Sequence, residues 1–353
     1  MNHLHHPDLP PAASKWSEDQ TLHVAACYSN PFRWQTRRQL ANDFRRHMMG
    51  LPNIDLHMIE IAYGDRPFDI VNPSLYPNDI ALRTNSELFH KENLLNLAVR
   101  SFPPDWKYGA IIDADFHFTR HDIGLETIHQ LQHYDWVQMF SYYQFLSGKT
   151  HPGLGHQPIG TMNESFALLY NKYGKVFHKK FNAGWGAPVY SGPSDGKQIT
   201  HTGAPGGAWA FRRSAFDAVG GLLDRCILGS GDWFMAFGLA GQVVDKNASL
   251  EKKVELYNPH YLQYIQAWQK RATDAFHGNI GFVDSFAVHH FHGPIVKRGY
   301  STRDNILVNN KYSPIEDVYP DWQGVLQISP AKPKLRDEVR KYFISRSEDE
   351  PNR

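Results

Sequence analysis

The chain is predicted to be an α/β protein on one mainly parallel central sheet, and three observations carry this. Strand and helix signals alternate over residues 21–146. The first two strands are joined by an amphipathic helix within a short span, which makes a parallel βαβ unit. A later strand, YGAIIDADFHF (108–118), is apolar along its length, as strands covered on both faces are, and it runs into two acids.

The elements follow in order. TLHVAACYS (21–29) is an apolar strand ending in small polar residues. The next segment places Leu40, Phe44 and Met48 four apart, the spacing of one helix face, and ends at Gly50 with Pro52 just beyond. IDLHMIEIAYG (54–64) is the second strand. SELFHKENLLNLAVRSF (86–102) reads as a helix capped by Ser86, and a helix and the strand DWVQMFSYYQFL follow the acidic strand. Between 147 and 205 glycine, proline, histidine and aromatics displace any periodicity, so this stretch reads as an acceptor-binding or lid excursion. Regular patterning resumes at PGGAWAFRRSAFDAVGG, and GFVDSFAVHHFHG is the last strand. Residues 1–20 read as a flexible tail, 21–330 as one domain, and 331–353 as a C-terminal helix with a polar end.

Charge narrows the partners. With 37 basic and 36 acidic residues the chain has no global pull toward nucleic acid or anionic membrane. Cys27 and Cys226 sit far apart in apolar contexts and read as buried free thiols, which fits a reducing compartment. No signal-peptide pattern and no apolar run of the ~20 residues a span requires is present. A cytoplasmic, unanchored protein without an obligate protein partner is expected.

Three motifs carry chemistry. In IIDADFHF, strand alternation would put Asp113 and Asp115 on one side, at the strand end where open α/β sheets bind ligands. Hard divalent cations favour carboxylate oxygens and share their shell with substrate phosphates, so the pair is a candidate Mg²⁺ or Mn²⁺ site. Aspartyl-nucleophile phosphatases also use a D-x-D, but typically on the first strand, whereas two strands precede this one. In GGAWAFRRSAF…GSGDW, Gly206 and Gly207 permit close backbone approach to a ligand. Asp232 either caps the following helix or serves as a general base on an acceptor hydroxyl. In HHFHGPIVKRGYSTR, alternation pairs His290 with His292 on one side as metal ligands and turns His289 away. Lys297, Arg298 and Arg303 stand ready to neutralise a diphosphate.

Taken in order, these motifs resemble the GT-A (nucleotide-diphospho-sugar transferase, Rossmann-like) glycosyltransferases from about residue 21 to 310. The matching features are the loop after the first strand (Cys27–Arg33), the acid and YGDR turn after the second (Glu60–Arg66), the KENLLN helix (Lys91–Asn96), the D-x-D, the GGA…GD element and a late histidine. The GGAWAFRRSAFDAVGG…GSGDW stretch is similar to the acceptor segment of galactosyltransferase-type enzymes, with Gly-Ser-Gly-Asp where those carry Gly-Glu-Asp or Trp-Gly-Gly-Glu. The compact organisation also resembles soluble transferases of large viruses and bacteriophages.

The resemblance implies a nucleotide-sugar donor such as a UDP-sugar, bound through Ser29, Asn30, Arg33, Glu60, Arg66, Lys91, Asn93, Asp113, Ala114, Gly207, Lys297, Arg298 and Arg303. It further implies Mn²⁺ on Asp115 and His292, with Asp113 near the ribose, and Asp232 as base if the anomeric centre inverts. The acceptor alternative is a hydroxymethylated base in DNA, with Arg33, Arg37, Arg38, Arg45 and Arg46 on phosphates and Tyr173–Trp185 stacking the base. The non-enzyme alternative is a catalytically inactive sugar-binding module. A nucleotide-sugar pyrophosphorylase would share the sheet, but the first turn, ACYSNPF, lacks its glycine-rich phosphate loop.

Overall fold

The computed structural model describes residues 20–151, 155–174, 203–243, 257–300 and 302–350, with three short strands between 177 and 199. In chain order the first half holds β1 (Leu22–Ser29), α1 (Gln35–Met49), β2 (Ile54–Tyr63), β3 (Ile80–Thr84), α2 (Lys91–Arg100), β4 (Tyr108–Ile112), β5 (Phe116–Phe118), α3 (Ile123–Leu131) and β6 (Trp136–Gln138). Then come β7 (Tyr142–His151), β8 (Gly155–Glu164), α4 (Phe166–Tyr173), and β9 to β11 (Phe177–His178, Val189–Ser191, Gln198–Ile199). The rest is β12 (Ala208–Arg212), α5 (Arg213–Val219), α6 (Gly231–Leu239), α7 (Pro259–Phe276), β13 (Ile280–Phe282), β14 (Phe286–His289), α8 (Asp304–Asn309), β15 (Val318–Pro320), β16 (Leu326–Ile328) and α9 (Pro333–Ser345).

The main sheet runs β13-β6-β12-β4-β1-β2-β3. It is mixed, and the mainly parallel expectation is corrected by β12, which pairs antiparallel with both β4 and β6 while the other neighbours pair parallel. An apolar run such as AWAFR marks a covered strand but carries no sign of direction. Period two sorts the core. Val24 and Ala26 pack with Phe44 and Met48 of α1 and Ile123 and Leu131 of α3 on one face. Ala25 packs on the other, with Leu94 of α2, Phe237 of α6 and Trp268 of α7. Phe44 is fully buried, and its loss to alanine would cost about 3–5 kcal/mol.

A second sheet, β5-β14-β7-β8, stands at the carboxyl end of β4. Residues 147–164 are therefore largely the β7–β8 hairpin, not an irregular excursion. Its glycine and proline signals misled because the ladder absorbs them: Pro158 sits in register with Leu146 beside a register shift, and the ring of Phe291 packs where a Cβ on Gly148 would sit. Residues 1–19 and most of 175–202 lie outside the described residues. Both cysteines are free; Cys226 is buried as expected, but Cys27 is only partly so. Among the described residues, no helix is long and apolar enough to cross a membrane.

Candidate functional site

The D-x-D is the hinge between the two sheets. β4 ends at Ile112, so Asp113, Ala114 and Asp115 form a turn before β5. Strand alternation therefore does not govern them, and the two acids take different partners. Asp113 donates its N–H to Gly207 O (2.8 Å) and holds Lys91 Nζ at 2.5 Å. Gly207 has φ +92°, and a Cβ there would meet Phe116 at 2.9 Å, so only glycine fits behind the turn.

Asp115 faces the end of β14. The register places His289 opposite Phe116, and His290 N–H donates to Asp115 O at 2.8 Å, which draws residues 289–292 across the acid. His292 Nε2 lies 3.0 Å from Asp115 Oδ2, and His289 Nε2 lies 3.7 Å from Oδ1, beyond hydrogen-bond reach. One ligand atom from each of the three falls within 4.8 Å of the others. Asp115 Oδ1 and His289 Nδ1 are buried with no hydrogen-bond partner.

The predicted His290–His292 pair is corrected. β14 stops at His289, so alternation no longer applies beyond it, and His290 turns to His117 (Nε2 to Nδ1, 3.1 Å), which stacks on His47. His289, not His290, lies beside Asp115 together with His292. Burial first, then the charge of Arg298, pushes His289 down to about 3 and His292 well below the usual imidazole range. Both rings are thus neutral near pH 7, the form in which imidazole can bind a metal. Burial raises Asp115, and Arg298, Lys91 and Arg37 oppose that rise. Two neutral imidazoles and a carboxylate with an unpartnered buried oxygen fit a divalent cation.

A second cluster adjoins the turn. Lys91 opens α2 and feels Asp113 and then Asp232. Glu92, beside it, is buried and pushed up to about 8, chiefly by that burial. Asp232 is in the first turn of α6, its Oδ1 accepting from Trp233 N–H at 2.8 Å. Its other oxygen sits where a Cβ on Gly206 would be, so Gly206 is kept bare by the carboxylate. Ser230, ahead of α6, adopts φ +71°, and its hydroxyl receives Arg303 (2.7 Å) instead of capping the helix.

The expected cations divide. Arg298 is buried, with Nε unpartnered and its charge felt by Asp115, His289 and His292. Arg303 is also buried with an unpartnered Nε, whereas Lys297 pairs with Glu350 at 2.5 Å. Arg37, which the sequence placed on a DNA face, instead grips Glu348 through two nitrogens (2.5 and 2.8 Å) and donates to Ser29 O. Arg346 joins the same carboxylate at 2.8 Å. Arg45 is buried against Asp79 and Arg46 pairs with Asp43, so of the four arginines of α1 only Arg38 and Arg46 are exposed. Of the proposed base-stacking stretch Tyr173–Trp185, residues 175–176 and 179–185 lie outside the described residues.

Several residues read as donor contacts are committed to the scaffold. Glu60 accepts from the backbone N–H groups of Asp69, Ile70 and Val71 (2.7–3.0 Å). Asn30 closes the turn at Trp34 in both directions (2.9 Å each), and buried Asn93 holds Gly324 O and Leu326 N. Tyr28, Asn30, Arg33, Glu60, Tyr63 and Arg66 do border one shallow, open cleft. Arg33 is exposed there with φ +59°, Arg66 reaches Pro31 O (2.7 Å), and Ser29 Oγ meets Tyr63 OH (2.8 Å). Ala114 is partly buried inside the turn.

Sequence reasoning did not single out Glu92, the Arg37–Glu348 pair or the His47–His117–His290 stack. Only Glu92 left a trace, as an acid next to Lys91 at the start of the KENLLN segment.

No protein-family model matches the chain, and no curated protein matches it. Solved structures similar to it include two of one enzyme. The catalytic domain of Drosophila beta1,4-galactosyltransferase 7 in complex with xylobiose is 13% identical, with 63% of this chain and 62% of that chain covered, at a TM-score of 0.28. A mutant of the same enzyme with manganese, UDP-Gal and xylobiose is also 13% identical, with 65% and 68% covered and a TM-score of 0.28. The chain thus spans less than two thirds of the first of these proteins.

Proposed function

We propose that the protein is a metal-dependent glycosyltransferase of the GT-A type, which moves a sugar from a nucleotide-diphosphate donor, a UDP-sugar, to a hydroxyl acceptor. The observation that carries this reading is the convergence of Asp115, His289 and His292 around an unpartnered buried carboxylate oxygen, beside the buried Arg298 and the partly buried Lys91. The two imidazoles favour Mn²⁺ over Mg²⁺, which prefers oxygen ligands. When bound, the cation supplies Lewis-acid neutralisation of the diphosphate.

The chain's own residues do the rest. Lys91 fixes Asp113 beside the turn, so the acid is held rather than swinging free. Arg298 and Arg303, each with an unpartnered nitrogen, offer charge-assisted bonds to the leaving diphosphate. Asp232 takes the acceptor's proton as its oxygen bonds to the anomeric carbon and the carbon–diphosphate bond breaks; with that base the configuration inverts. Protonated Glu92 keeps a further negative charge away from Asp113 and Asp232 near neutral pH. Gly206 leaves room for the Asp232 carboxylate, and Gly207 lets the turn close over Phe116, so both glycines position the acids.

The direct test is nucleotide release from a panel of UDP-, GDP- and other nucleotide-sugars, with Mn²⁺ or with EDTA and no added acceptor. One donor should turn over slowly, only with metal. If no donor turns over and no nucleotide binds in the presence of Mn²⁺, the reading is wrong.

A further inference from the structure

A second cluster of metal-type ligands lies at the opposite end of the main sheet. In the parallel register His23 of β1 sits beside Asp55 of β2, and Ala25 beside His57. Residues two apart on a strand share a face, so Asp55 and His57 project together, and His23, as the in-register neighbour, joins them. These positions open β1 and β2, whereas the D-x-D follows the far end of β4. Since β4 begins level with β1, the two clusters are about 15 Å or more apart along the strands, at ~3.3 Å per residue.

The three side chains converge on one atom. His23 Nδ1 lies 2.9 Å and His57 Nε2 3.0 Å from the same oxygen, Asp55 Oδ2. The other oxygen, Oδ1, is held by Asn78 Nδ2 at 2.6 Å, so the carboxylate is aimed by a neighbour outside the cluster. The ring of Phe102 packs against both imidazoles, with centroids 5.4 and 4.7 Å away, and locks their planes. Both histidines are nearly buried (6% and 3% exposed), while the Asp55 side chain is 34% exposed. The cluster is thus walled on the protein side and open to water on one, which leaves room for solvent to complete a shell.

We propose that His23, Asp55 and His57 form a second divalent-cation site, of the zinc class, that clamps the first two strands. Two imidazole nitrogens and a carboxylate oxygen are the donor set of Zn²⁺ and its Co²⁺ and Ni²⁺ analogues. Asn78 supplies the outer-shell hydrogen bond that such ligating carboxylates carry. The cluster joins the opening residues of β1 and β2, away from the D-x-D turn, so the role is structural. The competing account is a triad in which both rings donate to one oxygen and no ion binds.

The test is Zn²⁺ stoichiometry on the full chain, by calorimetry and by elemental analysis after desalting. The Asp115–His289–His292 cluster has a like donor set, so the His292→Ala variant serves as background and separates the two sites. That variant should hold one equivalent of Zn²⁺, and adding His57→Gln should remove it. The background holding no Zn²⁺, or the double variant holding as much as the background, would overturn the proposal. Should the double variant fail to fold, Asn78→Ala removes only the aiming hydrogen bond. It should weaken Zn²⁺ by roughly tenfold to a hundredfold, and an unchanged affinity would overturn the site. Loss of Zn²⁺ with His57→Gln stands or falls apart from donor turnover.

Discussion

The paired carboxyl ends of β1 and β2 and the turn after β4 both gather buried polar side chains at one end of the main sheet, yet they are finished differently. At the first, both oxygens of Glu60 are occupied by backbone N–H groups, and Asn30 is bonded through nitrogen and oxygen alike. At the second, Asp115 Oδ1, His289 Nδ1, Glu92 Oε2 and the Nε atoms of Arg298 and Arg303 are buried without a partner. A buried polar atom left unpaired costs roughly 1–3 kcal/mol, more when charged, so five close together are not tolerated without compensation. The satisfied group holds the chain in place, and on the function proposed above the unsatisfied group receives the cation and the diphosphate.

That contrast is open to breaking by substitution. Asp115→Ala should leave a folded protein that loses donor turnover by roughly a hundredfold to a thousandfold, since it removes charge aimed at the transition state; steady-state rates with Mn²⁺ would read this. Glu60→Ala should act the other way. It strands three backbone donors, so the melting transition should fall by the equivalent of about 3 kcal/mol while the molecules that remain folded keep their turnover number. If Glu60→Ala abolished turnover in fully folded protein, the division into scaffold and site would fail.

Arg298→Met sharpens the site half. It should raise the donor KM by roughly tenfold to a hundredfold, the loss of one charged hydrogen bond to the diphosphate. It should not weaken Mn²⁺ measured without nucleotide, because the guanidinium repels the cation.

The smallest effect concerns His90, just before α2. Burial lowers it to about 4, its Nε2 meets Ser86 O (2.9 Å), and its Nδ1 has no partner. The folded value lies below the unfolded one, so the unfolded chain binds the extra proton first. Stability is complete above about pH 6.5 and falls as pH drops toward 4, by about 1.4 kcal/mol per unit. Denaturant midpoints across that window should show the slope reduced by this amount in His90→Gln. His117, lowered to about 3, adds to the wild-type slope with the same sign.

Much of this was legible in the chain. The apolar runs of β1, β2 and β4 and the Leu40–Phe44–Met48 stripe of α1 were visible because burial imposes period and composition on them. The equally clear stripe Tyr261, Ile265, Trp268, Ala272 and Phe276 of α7, capped by Asn258 with Pro259 in its first turn, was there to be read and was missed. The site was half legible. Asp115 and His292 stand in recognisable motifs, but the exchange of His290 for His289 depends on where β14 stops, and a strand end is set by its ladder partners. Direction in β12 and the reach of Glu348 back to Arg37 are tertiary facts without a local signal.

The histidines test the central claim most directly. Mn²⁺ binding, followed by loss of the free-ion electron paramagnetic resonance signal, should be compared for His289→Ala, His290→Ala and His292→Ala, each checked for native circular dichroism. Tight binding should vanish in the first and third variants and persist in His290→Ala. Binding lost in His290→Ala but kept in His289→Ala and His292→Ala would contradict the site described above.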